Sequence, residues 1–194
     1  MSGFEYKKWL TTHCTHKPLW HTFKIPLINE GEFMSTSILS LDRAIQNTIQ
    51  WIVDIQDELG WESRDTVYRA TKAVLQTTRD RLPFEEMVHF SANLPLIMKG
   101  MLMDGYDIRD KPVKMRSVEE FFEYVQQYYD AQRRDIISAD DAVRAVVVVL
   151  NRRMGGGEMQ KVAANMPEKI RRLFETAASQ AEIEMPSEAE IPMQ

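Results

Sequence analysis

The stretch from residue 63 to 101 recurs, in altered form, from residue 138 to 173. With Ala70 laid on Ala145, Val74-Leu75 falls on Val149-Leu150. Shortening the following turn in the second copy by three residues brings Glu86-Met87 onto Glu158-Met159. Ala92-Asn93-Leu94-Pro95 then meets Ala164-Asn165-Met166-Pro167. A chain that writes its apolar pattern twice must use one supersecondary unit twice, and a unit this small buries its apolar face only against its copy.

The periodicity within each copy is helical. Leu41, Ala44, Ile45, Thr48, Ile49, Ile52, Ile55 and Leu59 recur at three-and-four spacing and mark one face of a first helix, which Gly60 stops. Ser63 caps a second, with Val67, Ala70, Val74, Leu75, Thr78 and Leu82 inward. Pro83 opens a third, with Glu85 and Glu86 in its first turn and Met87, Phe90 and Leu94 on its apolar side. A fourth follows Pro95, carries Ile97, Met98, Met101 and Leu102, and stops near Asp104-Gly105.

Residues 106–115 read as a linker, polar and without period. Ser117-Val118-Glu119-Glu120 then gives the capping-box pattern of a fifth helix, with Phe121, Phe122, Val125 and Tyr128-Tyr129 inward. Ser138 with Asp140 and Asp141 starts a sixth, with Ala142, Ala145, Val146, Val149, Leu150 and Met154 inward. Its Val146-Val147-Val148-Val149 run favours a strand by propensity, but it aligns with Thr71-Lys72-Ala73-Val74, whose surroundings are plainly helical. Gly155-Gly156-Gly157 breaks the chain before a seventh helix from Glu158 to Met166, and Pro167 opens an eighth with Ile170, Leu173 and Phe174 inward.

The expected fold is therefore all-α: eight helices in two pseudo-repeated four-helix units, about residues 38–105 and 116–177, sharing one core. Residues 1–33 have no sustained period and are expected to be a loose arm or an over-extended start. After Ala177 the chain is small, acidic and Pro-containing, the composition of a solvated tail over residues 178–194.

Charge and cysteine usage narrow the function classes. The net charge of -5 comes largely from Glu182, Glu184, Glu188 and Glu190; the helical stretch is close to balanced, and no basic field exists to draw in nucleic acid from a distance. The single Cys, Cys14, rules out an internal disulfide framework and fits a reducing, cytoplasmic setting. No apolar run reaches the roughly 20 residues a bilayer span needs.

The order of turns and helices resembles a known bacterial family. The resemblance is carried by Glu58-Leu59-Gly60-Trp61, Ala73-Val74-Leu75, Arg79-Asp80-Arg81-Leu82-Pro83 with Glu85-Glu86, Leu94-Pro95, Gly100 and Gly105-Tyr106. It continues through Pro112-Val113-Lys114, Phe121, Leu150, Gly157-Glu158, Pro167 and Leu173-Phe174. Over roughly residues 38–175 the chain is similar to the uncharacterised family catalogued as domain of unknown function 2267. Met166 stands where that pattern usually has Leu, and Phe174 where Trp is common. The resemblance implies an all-helical bacterial cytoplasmic protein. It implies no catalytic residue, because the family has no established activity.

Four places offer chemistry. His13, Cys14, His16 and His21 are metal-type ligands at close spacing, but no visible scaffold fixes them, and a His-rich arm accounts for them as well. Arg79, Asp80 and Arg81 with Glu85 and Glu86 read either as a docking patch or anion site at the helix start, or as a turn clamp with the Arg pair bonded to the Glu pair; the two Glu favour the clamp. Arg152, Arg153, Lys169, Arg171 and Arg172 are the cations a DNA-binding reading would use. Met87, Met98, Met101, Met103 and Met115 suit core packing better than an adaptable partner surface.

No Ser elbow, phosphate loop or paired-Cys site is present, and His89 has no partner motif. No catalytic, cofactor-binding or metal residue is therefore assigned, and no cofactor is called for. The expectation is a non-catalytic helical interaction module that binds a protein partner or itself, with a DNA-binding regulator as the alternative.

Overall fold

A computed structural model describes residues 36–129, 137–154 and 156–183. Among the described residues the regular structure is all helical: α1 Leu39–Leu59, α2 Arg64–Arg81, α3 Phe84–Ala92, α4 Leu96–Met103, α5 Val118–Tyr128, α6 Ala139–Met154, α7 Gly156–Ala164 and α8 Glu168–Ile183, with a 3-10 turn at Ile108–Asp110 between α4 and α5. The sequence-predicted eight helices thus all form, in order. The loose arm and the His13, Cys14, His16 and His21 cluster lie outside the described residues.

The punctuation works as the residue chemistry dictates. Gly60 adopts φ 66°, a left-handed conformation that costs a glycine nothing, and its N–H closes α1 on the Gln56 carbonyl. The Ser63 hydroxyl accepts the Thr66 N–H at 3.2 Å, and the Ser117 hydroxyl accepts that of Glu120 at 3.2 Å. Ser138 does the same for Asp141 at 3.3 Å.

Two helices are central. α2 touches α1, α4, α5 and α6, and α6 touches α1, α2, α5, α7 and α8. Both are buried almost all round: residues 73–80 of α2 and 145–151 of α6 are all buried. That burial is why the four-valine run becomes helix: the described elements packed against α6 are all helices, and these tertiary contacts overrule propensity. One apolar cluster runs from Trp51 to Ala177, and the edge-to-face pair Phe121–Phe174, with centroids 5.8 Å apart, joins α5 to α8 within it.

Two boundaries differ from expectation. The three glycines do not all break the chain, since Gly156 and Gly157 belong to the first turn of α7; helix propensity there yields to the pull of the buried Met159, Val162 and Ala163. α8 does not stop at Ala177 but runs on to Ile183. Ala177 is fully buried, and the Asn151 side chain donates to the Ala178 carbonyl at 3.2 Å, so the start of the expected tail is tied to α6.

Candidate functional site

The α1 stripe is only half covered. Trp51, Ile52 and Ile55 are buried, whereas Ile49 is 45% and Leu41 40% exposed. What the stripe leaves open is a groove of about 440 Å³, lined by Ile45, Ile49 and Ile52 of α1, Tyr68 of α2 and Ile97 of α4. Arg64 and Asp65 also line it. Tyr68 and Ile97 line a second depression as well, of about 520 Å³, together with Met101, the exposed Met103, Lys72 and Asp104. There Lys72 and Asp104 form an ion pair at 2.5 Å. Sharing Tyr68 and Ile97, the two depressions adjoin as one channel, lined mostly by apolar side chains, with Arg64, Asp65, Lys72 and Asp104 as its charged residues.

The Arg79–Asp80–Arg81 block behaves differently from either reading of its sequence. Arg79 does not pair with Glu85 or Glu86. Its Nε donates to Asp80 Oδ1 at 2.7 Å, its Nη1 to the carbonyls of Leu102 at 2.6 Å and Asp104 at 2.9 Å, and its Nη2 to the Tyr128 hydroxyl at 3.4 Å. Those are the last carbonyls of α4, which have no partner inside the helix, so a buried cation caps the negative end of its dipole. The guanidinium also lies over the rings of Tyr106, at 5.1 Å, and Tyr128, at 5.8 Å.

Asp80 completes the knot. Its second oxygen accepts from Lys111 and from the Tyr128 hydroxyl, and its backbone carbonyl accepts the Val113 N–H at 2.7 Å. Burial pushes the Asp80 carboxyl up, but the bonds from Arg79, Lys111 and Tyr128 outweigh it and hold the group below its ordinary value. The Tyr128 phenol is pushed up to about 12, by burial and then by its bond to the Asp80 carboxylate. The knot stitches α2, the end of α4, the linker and the end of α5 together. Its members lie far apart in the chain, so no local motif announced Leu102, Lys111 or Tyr128 as partners.

Arg81 stands apart. Its side chain is partly exposed, its Nε is buried, and no hydrogen-bond acceptor meets that atom among the described residues. Burial lowers its guanidinium from the usual range, with no carboxylate to offset the effect.

The five cations of the DNA-binding reading are not brought together as a free surface. Arg152 pairs with Glu58 at 3.3 Å and Arg153 Nε with Asp54 at 2.6 Å, which joins the end of α6 to α1. Arg171 donates to the carbonyls of Ala163, Ala164 and Met166, closing the end of α7. Arg172 pairs with Glu168 within α8. Lys169 is exposed near the start of α8. Of the methionines singled out, Met87, Met98, Met101 and Met115 are buried and Met103 is exposed. No group of three or more His, Cys, Asp or Glu suited to a metal ion occurs among the described residues. No described helix is long and apolar enough to cross a membrane.

A search of curated proteins finds no match. The pattern of one family, described as an uncharacterized conserved protein (DUF2267), matches residues 48–173, from the middle of α1 into α8. The match takes in both central helices, the Arg79–Asp80 knot and well over half of the chain, and the protein belongs to this family.

Proposed function

We propose that the protein is a non-catalytic helical interaction module that holds a protein partner, or a second copy of itself, in the channel between α1, α2 and α4. The observation that carries this reading is the uncovered half of the α1 stripe. Ile45, Ile49, Tyr68 and Ile97 form an apolar strip, with Arg64, Asp65, Lys72 and Asp104 among the residues around it. An amphipathic helix laid in such a groove buries its own apolar stripe against these residues and can meet the charges beside them. The buried Arg79–Asp80 pair is taken up structurally, bonded within itself and to the end of α4. A cytoplasmic setting is part of the proposal, in keeping with the single cysteine.

The alternative, a DNA-binding regulator using Arg152, Arg153, Lys169, Arg171 and Arg172, draws less support. Four of those five side chains already serve ion pairs or helix ends.

Affinity capture from the native cell and light scattering on the purified chain test the reading together. Ile49→Glu places a charge on an exposed groove position and should abolish capture, or convert a dimer to a monomer, without lowering the melting temperature. An unchanged partner set and an unchanged mass in that variant would reject the groove. A mobility shift on genomic fragments that is salt-sensitive and lost in Arg171→Ala/Arg172→Ala would favour the alternative.

A further inference from the structure

We infer that the cleft between the linker and the start of α8 binds a small molecule bearing two phosphate groups. The cleft has a volume of about 550 Å³ and lies away from the channel, with which it shares no residue. Arg81, Lys111, Lys114 and Arg116 line it, and no carboxylate does; Pro112 and Pro167 supply apolar walls.

The charge of the lining is unbalanced, with four cations and no carboxylate. Lys111 is matched by Asp80 beneath it. Arg81, Lys114 and Arg116 have no side-chain partner among the described residues. The carboxylate beside them, Glu120, accepts the backbone N–H of Arg116 at 2.7 Å and not its guanidinium. The half-buried Arg81 is the telling member. A partly buried guanidinium with no carboxylate partner carries a desolvation cost, and an anion in the cleft would repay it through charge-assisted hydrogen bonds to the part of the guanidinium that lines the cleft. The knot explains why it is held there: Asp80, in the last turn of α2, accepts from Lys111 at its carboxylate and from the Val113 N–H at its carbonyl, which ties the linker cations to the turn that carries Arg81.

The charge count selects the ligand. Three unmatched cations face one cleft of a size that suits a small molecule. A single carboxylate would leave two of them unanswered. A phosphomonoester carries about -1.5 to -2 at neutral pH, so two phosphate groups answer all three. Arginine's planar fork fits phosphate oxygens in pairs, and the lysine adds a point charge. A nucleic-acid polymer is a poorer fit, because the net charge of -5 disfavours the long-range attraction that such a polyanion needs.

Isothermal titration of the full-length protein in low salt provides the test, with pyrophosphate, ADP, inorganic phosphate and a short single-stranded DNA as probes. Pyrophosphate or ADP should bind saturably at one site per chain, at least tenfold tighter than inorganic phosphate. ADP binding well above pyrophosphate identifies a nucleotide, and equal binding identifies the diphosphate group alone; either supports the site. Arg81→Gln should weaken binding tenfold or more, and so should Lys114→Gln/Arg116→Gln, whose positions are exposed and leave the fold intact if Arg81→Gln does not. Arg109→Gln, at an exposed cation paired with Asp107, should bind as the unmodified protein does. The site is overturned by no saturable binding at millimolar probe, by binding indifferent to the cleft variants, by inorganic phosphate binding as well as pyrophosphate, or by DNA binding tighter than both diphosphate probes.

Discussion

Arg79 and Asp80, neighbours in the chain, turn their side chains into the same interior and bond to each other at 2.7 Å, each only 1% exposed. Adjacent residues on a helix point about 100° apart, so both can be buried only because α2 is enclosed on nearly every side. Four of the five guanidinium N–H donors are placed on named acceptors. The pair is therefore a structural element and not a vacant charge. Removing one partner strands the other in the core, which costs roughly 3–5 kcal/mol. Asp80→Ala and Arg79→Ala should each lose about that much in urea unfolding, while Arg81→Ala, outside the knot, should stay within about 1 kcal/mol of the unmodified chain.

The same knot gives two opposite pH dependences. Asp80 is held below its ordinary value, so its stabilisation is complete above the unfolded carboxylate value of about 3.9 and is lost as pH falls through the lower folded value. Tyr128 is raised to about 12, so its stabilisation is complete below about pH 10 and is lost as pH rises through the folded value. Ultraviolet titration should show a late step from Tyr128, with Tyr106, raised by burial and by the Asp80 charge, also ionising later than a free phenol. In Asp80→Asn that late step should move back toward pH 10, and the stability gap between the two proteins should narrow below pH 4.

The repeat makes its own prediction. Leu75 and Leu150, matched by the alignment, are both buried, and so are Leu94 and Met166. Superposing α2–α4 on α6–α8 should place each pair together, with the three-residue difference falling in the connection between α6 and α7. Leu75→Ala and Leu150→Ala should then cost similar amounts, roughly 2–5 kcal/mol each, in a single calorimetric transition. Two transitions would mean two independent halves.

Truncation separates arm, body and tail. A chain of residues 34–183 should melt where the full chain does. Ending it at residue 177 removes the Ala178 carbonyl that Asn151 binds and the last turns of α8. One such hydrogen bond is worth about 1 kcal/mol, so the melting temperature should drop by about 2–4 °C.

Much of this was legible in the residues because helices announce themselves locally. Ser63, Ser117 and Ser138 cap helices where their spacing said they would, and the α2 stripe is buried at every position read from it. The misread boundaries have a common cause: Gly156 and Ala178 look like breakers or tail by composition, but buried neighbours hold them in place. The site was far less legible. Periodicity marked Leu41 and Ile49 as inward, and only the arrangement of α2 and α4 decides that nothing described covers them. Charge density singled out residues 79–81 but not the roles within it, because these depend on Leu102, Lys111 and Tyr128 arriving from elsewhere. The pairing of Arg152 and Arg153 with Glu58 and Asp54 is equally a matter of tertiary distance.

The enclosure of α6 also bears on what happens when the protein is heated. Residues 145–150, Ala-Val-Val-Val-Val-Leu, are helical only while α1, α2, α5, α7 and α8 surround them. Released, this uncharged run has the β-branched composition from which intermolecular strands assemble. Arg144 on one side and Arg152-Arg153 on the other act as charged gatekeepers. While the protein is folded, two of them, Arg152 and Arg153, are engaged with α1 acids. In the unfolded chain those arginines are freed to repel neighbouring copies, so the ion pairs that fasten α6 to α1 double as a reserve against aggregation. Replacing both with uncharged residues should leave a protein that folds yet precipitates instead of refolding after it is cooled.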